Sequence, residues 1–160
     1  MTIAVGDTLP AATFMTMTAD GPQPVASADY FKGRRVALFS VPGAFTPTCS
    51  AKHLPGFVDN AAAIKAKGVD EIATTAVNDV FVMGAWGKSA NADGKVTMLA
   101  DGNGDFAKSV GLTMDGSKFG LGQRGSRWSM VVSDGKVEQL NIEEAGAFEV
   151  SSAEYMLGKL

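Results

Sequence analysis

The apolar positions of this chain fall into short continuous runs and longer stretches at helical spacing. Val36-Ala37-Leu38-Phe39 is a continuous run, short and β-rich, and predicts a buried strand. Glu71 to Val77 and Val96 to Ala100 predict two more, and Arg127 to Val132 and Val137 to Ile142 a pair joined by the hairpin signal Ser133-Asp134-Gly135. Thr13 to Met17 alternates as a short strand, with a turn at Ala19-Asp20-Gly21-Pro22. Helical spacing links Phe57, Val58, Ala61, Ile64 and Ala66, predicting a helix from Pro47 to a C′ glycine at Gly68, kinked at Pro55. Asn78-Asp79 caps a helix over Val80 to Trp86, and Asp105 to Val110 reads as a short helix. Ser27 caps a helical turn to Phe31, and Ser152 caps a last helix over Ala153 to Leu157. Strands alternating with helices and closing on a hairpin predict a single α/β domain over residues 1–160. Its central β-sheet is mixed and flanked by helices, with an N-terminal β-hairpin extension.

Composition narrows the function. With 160 residues, 46% apolar and 19% charged, the chain can bury a core without staples. A net charge of −3 offers no basic face for nucleic acid and no polybasic run for a membrane surface. No apolar stretch reaches bilayer length, and MTIAVGDTLPAATF lacks the layout of an export signal. One cysteine excludes an internal disulfide, and with one histidine it is too few soft ligands for structural zinc. The expectation is a cytoplasmic protein without cofactor or metal. Gly120 to Gly125 matches G-x-G-x-x-G but precedes a strand rather than a helix, which excludes the dinucleotide reading. Asp101 to Asp105 opens like a calcium loop, but Phe106 stands at the glycine position and no glutamate closes it.

The chemistry gathers after the first buried run. Pro42 and Gly43 break it into a loop, Thr46 is a good N-cap, and Pro47 fits the first helical position. Cys49, the only cysteine, therefore sits in the first helical turn, where free N–H groups and the helix dipole favour a thiolate. That activation matters, because an ordinary cysteine is only about 3% thiolate at pH 7. A lone cysteine is more commonly a buried, inert thiol. His53, four residues on, shares the helix face and could act as a base, but hydrogen bonding that orders helix and loop is the stronger reading.

PGAFTPTC followed by SAKHLPGF resembles the active-site loop of the peroxiredoxins, in the type II, peroxiredoxin V-like group. KGVDEIATTAVNDVFVMGAWG, KVTMLADGNGDFAKSVGL and RWSMVVSDGKVEQLNIE extend the likeness through most of the chain. The resemblance implies a thioredoxin-like fold and a thiol peroxidase of hydrogen peroxide, alkyl hydroperoxides and peroxynitrite. It places Cys49 as nucleophile, Thr46 and Arg127 as its partners, and Pro42 as the wall of the pocket. Many members carry a second cysteine, either on the strand after the active-site helix or near the C-terminus. Here those places hold Thr74 and Thr75, or Val150, Ser151 and Ser152. The likeness therefore implies a one-cysteine form recycled by glutathione, with or without glutaredoxin, and a homodimer near Phe45, Phe81, Met83 and Trp86. The alternative is a redox sensor relaying Cys49 oxidation to a partner protein. A thioredoxin-type oxidoreductase is disfavoured, because residue 46 is Thr where C-x-x-C needs cysteine.

Overall fold

A computed structural model describes residues 1–160. The chain runs β1 (Thr13–Thr18), β2 (Gly21–Ala26), α1 (Ser27–Phe31) and β3 (Arg35–Ser40). A π-helical turn over Cys49–His53 leads into α2 (Leu54–Asp59) and α3 (Ala61–Ala66). Then follow β4 (Glu71–Ala76), α4 (Val80–Ser89), β5 (Thr97–Ala100), α5 (Asp105–Ser109), β6 (Thr113–Asp115) and β7 (Gln123–Gly125). The chain closes with β8 (Trp128–Ser133), β9 (Lys136–Ile142) and α6 (Ala153–Leu157).

Seven strands form one mixed sheet in the order β2-β1-β5-β4-β3-β8-β9, parallel across β3–β4–β5 and antiparallel elsewhere. This is a mixed sheet of the thioredoxin-like kind that the resemblance implies, with the expected N-terminal hairpin of β1 and β2 on one edge. Strand β3 is apolar from Val36 to Phe39 because both its faces are covered. Ala37 and Phe39 join a cluster with Leu54, Phe57, Ile64 and Trp86, while Val36 and Leu38 join Phe14, Phe106 and Met130 on the other side. Phe39 and Phe57 stack at 4.1 Å between centroids, tying the active-site helix to the sheet.

The long helix departs from the expected form. In place of a simple kink at Pro55, the turn widens first: the Leu54 N–H bonds the Cys49 carbonyl, five residues back. Pro55 has no N–H to donate and its ring crowds the carbonyl four residues earlier, so the turn that precedes it is the one that expands. A second break falls at Asn60 (φ −97°, ψ 9°), whose side-chain amide donates to the Gly56 carbonyl at 2.8 Å. Gly68 then ends the run at φ 91°, a left-handed conformation that its missing Cβ makes inexpensive.

Smaller expectations also shift. Ser27 does not cap α1. It is the first helical residue, buried, and its hydroxyl accepts from the Ala12 N–H and donates to the Pro10 carbonyl. Val77 lies beyond β4, and α4 extends to Ser89 from its Asp79 cap. The three-residue strands β6 and β7, paired antiparallel, gave no apolar rhythm to read. Gly125 ends β7, so the glycine motif opens no helix. Asp101 is buried, and its two carboxylate oxygens accept the Phe106 and Ala107 N–H groups, capping α5.

Candidate active site

Strand β3 delivers the chain into the Pro42 loop at the end of the sheet. The loop is pinned from outside: the Val41 N–H donates to the Thr75 carbonyl at 3.2 Å, and the Ala44 N–H to Asn78 Oδ1 at 2.9 Å. Phe45 sits at φ 65°, a left-handed conformation costly for a bulky residue, with its ring exposed. That turn brings Thr46 Oγ1 back to donate to the Gly43 carbonyl at 2.7 Å. Thr46 does occupy the N-cap position, since its carbonyl accepts the Ser50 N–H, but its side chain makes no capping bond to the helix. Its hydroxyl proton is spent on Gly43, and its lone pairs remain to accept.

Cys49 is fully buried. Arg127 precedes β8 rather than lying in it, at the end of that strand which pairs with Ser40 of β3. Its Nη2 donates to Cys49 Sγ at 3.0 Å, and its Nη1 lies 2.8 Å from His53 Nδ1. His53 Nε2 lies 2.9 Å from the Ser151 carbonyl, which can only accept. The imidazole proton therefore sits on Nε2, and Nδ1 takes the hydrogen bond from Arg127. Burial first, then the Arg127 charge, push the His53 pKa down to about 3. Neutral His53 is thus an acceptor for Arg127 and has no proton to exchange with the sulfur. Phe148 covers the pair, edge-on to His53 at 5.0 Å and 5.9 Å from the Arg127 guanidinium carbon.

This buried neutral histidine makes stability depend on pH. Unfolded, His53 binds a proton near pH 6.5; folded, it resists until about 3. Its contribution is complete above pH 6.5 and is lost as pH falls through that window, at up to about 1.4 kcal/mol per pH unit. Urea unfolding across this range should show a shallower acid loss for His53→Gln than for wild type. Equal slopes would assign the proton linkage to another group.

Pro42 and Arg127 border a cavity of about 640 Å³ that also has Thr48, Met114, Phe119 and Glu143 in its walls. Cys49 is not in its walls; Arg127, which is, links the cavity to the sulfur. The four aromatic and sulfur side chains expected near a dimer contact divide. Phe45 and Phe81 are exposed, whereas Met83 and Trp86 are buried in the core and unavailable to a partner. Trp86 instead donates from Nε1 to Ser50 Oγ at 3.0 Å, beside the cysteine.

The expected residues Pro42, Thr46, Cys49 and Arg127 are thus brought into one locality, with His53 beside them. Ser151, Glu143 and Phe148 were not legible in advance. They lie on the segment after β9, which shows no periodicity; Ser151 and Phe148 reach His53, and Glu143 reaches Ser151, only in the folded chain.

The match to known proteins agrees with this geometry. The chain matches the Redoxin family over residues 4–157. It is 51% identical over 164 residues to "Peroxiredoxin-2E-2, chloroplastic" of Oryza sativa subsp. japonica, covering 99% of this chain and 73% of the relative. The chain belongs to the peroxiredoxin family, in its type II group, as a one-cysteine variant. Another peroxiredoxin, "Peroxiredoxin-2C" of the same organism, is 47% identical over 99% of this chain and 98% of its own length. The crystal structure of reduced Prx3 in complex with H2O2 from Vibrio vulnificus is similar too. It superposes with a TM-score of 0.95 at 49% identity, over 98% of both chains. As a peroxiredoxin, the chain is a thiol peroxidase. No helix is long and apolar enough to cross a membrane.

Proposed function

We propose that this single-domain peroxiredoxin reduces hydrogen peroxide and alkyl hydroperoxides at Cys49 and is recycled by glutathione, with or without glutaredoxin. The observation that carries the reading is the Arg127 Nη2 to Cys49 Sγ contact at 3.0 Å beside an open cavity. The guanidinium favours sulfur as an anion and can follow the charge as it leaves. In the reaction, thiolate sulfur attacks the terminal hydroperoxide oxygen as the O–O bond breaks. The products are Cys49–SOH and an alkoxide or hydroxide, which leaves as alcohol or water on taking up one proton from solvent, equal to the one the thiol released on ionising. Thr46 Oγ1 accepts the peroxide hydrogen, the Cys49 N–H and Arg127 donate to the oxygens, and Pro42 keeps water from the sulfur. An external thiol then condenses with the sulfenic acid, releasing water, and a second thiol displaces Cys49 from the mixed disulfide.

An external reductant is required because the chain offers no second thiol; Thr74 and Thr75 are both buried on β4. Exposed Phe45 and Phe81 support a homodimer through the active-site loop and α4. A lone free thiol fits a reducing compartment, and we assign the cytoplasm, although the rice 2E-2 relative is chloroplastic.

The test is peroxide consumption by the purified protein with glutathione alone and then with glutaredoxin, alongside light scattering at micromolar concentration. Sustained turnover with either reductant, from a particle of twice the chain mass, is expected. A single equivalent consumed without recycling would support the sensor reading, and a monomer would remove the dimer.

A further inference from the structure

Glu143 holds Arg127 at both ends. Its backbone N–H donates to the Arg127 carbonyl at 3.1 Å, fixing the main chain just before β8. Its side chain acts on the guanidinium through a longer route. Oε2 alone accepts three hydrogen bonds: from the Glu149 N–H at 2.7 Å, the Ser151 N–H at 2.8 Å and Ser151 Oγ at 2.6 Å. These bonds fold the segment after β9 back on itself and seat Ser151, which is fully buried. The seated Ser151 carbonyl accepts the hydrogen bond from His53 Nε2–H, which leaves Nδ1 as the acceptor for Arg127 Nη1. With Nη1 so engaged, the planar guanidinium has one orientation left, and it aims Nη2 at Cys49 Sγ.

We propose that Glu143 is a positioning residue for peroxide reduction, acting through Ser151 and His53 to set the Arg127 guanidinium against the Cys49 sulfur. Its carboxylate bonds Glu149 and Ser151 rather than the sulfur or the guanidinium. The inference rests on the reading of Arg127 as the cation that serves Cys49. Burial would raise the Glu143 carboxyl, but hydrogen bonds from Ser151, Glu149 and Val150 outweigh it and hold it below the usual carboxylate range. The carboxylate is therefore ionised at neutral pH, and its three bonds are charge-assisted. A loop staple that only stabilised the fold would shift the melting temperature and leave the chemistry alone.

The experiment follows the oxidation of reduced Cys49 by hydrogen peroxide in single turnover, across pH, by intrinsic fluorescence, since Trp86 contacts Ser50 next to the reacting residue. Glu143→Ala should slow oxidation about tenfold and His53→Leu about a hundredfold, the scale of loss when a reacting group drifts by about an ångström. Glu143→Gln keeps an acceptor oxygen at the same reach and should restore most of the rate. Glu143→Asp keeps the charge but withdraws the oxygen, and should be slowed although folded. The double variant Glu143→Ala with His53→Leu should be no slower than His53→Leu alone, because both act along one chain of contacts. Folded Glu143→Ala or Glu143→Asp protein oxidising at the wild-type rate and pH profile would overturn the proposal. So would a full tenfold further loss in the double variant. Arg127→Ala is the control. A slow Arg127→Ala with a fast Glu143→Ala defeats this inference alone, whereas an unaffected Arg127→Ala defeats the reading of Arg127 with it.

Discussion

Cys49→Ser protein is expected to consume no peroxide in the presence of any thiol reductant. The chain has no other sulfur nucleophile, since its only cysteine is Cys49 and methionine thioether cannot turn over this way. A serine hydroxyl in the same place stays protonated at neutral pH and is a poor nucleophile toward a peroxide oxygen. The substitution is nearly isosteric. Arg127 Nη2, which donates to sulfur at 3.0 Å, would find the new Oγ as an acceptor, so no buried donor is orphaned. The fold should therefore survive with a stability change of about 1 kcal/mol. A coupled peroxide assay beside a thermal melt separates the two effects. Residual turnover in a folded Cys49→Ser protein would show that the chemistry belongs to another group.

Arg127→Ala is expected to lower the rate constant for Cys49 oxidation by about 10²- to 10³-fold, the loss typical of removing a charged donor from a developing negative charge. Two effects combine. The anion loses the partner on Sγ. The His53 Nδ1 lone pair, fully buried, loses its donor as well. Arg127→Lys should not rescue the rate. A single ammonium cannot keep both the Sγ and the Nδ1 bonds that the fork of Nη1 and Nη2 makes at once. Rapid mixing with hydrogen peroxide reads the rate of each variant. An Arg127→Lys protein as fast as wild type would mean that charge alone, without orientation, is sufficient.

Much of the fold was legible because its information is local. Apolar runs at Val36–Phe39 and Glu71–Val77 announce strands covered on both faces, and both strands lie inside the sheet. The Asp79 and Ser152 caps were readable because a cap is a contact between residues three apart. Ser27 misled for the complementary reason: its partners, Ala12 and Pro10, are 15 and 17 residues away. Pro55 announced a disturbance in the helix, but its form, a widened turn over Cys49–His53, depends on how that helix seats against Phe39.

The sequence by itself determined the candidate nucleophile and its setting: one cysteine, two residues past a threonine–proline helix start, after a buried strand. It named Arg127 only through the likeness to a family, because nothing local marks an arginine ahead of a strand as different from a surface residue. Tertiary structure decided the rest. It carried Arg127 across 78 residues of chain to the sulfur, and Ser151 across 98 to His53. It also buried Met83 and Trp86 while leaving Phe45 and Phe81 outside. The reason is physical. Periodicity records which side of an element faces the core, but meetings between elements are set by sheet order and packing, and those exist only once the chain has folded.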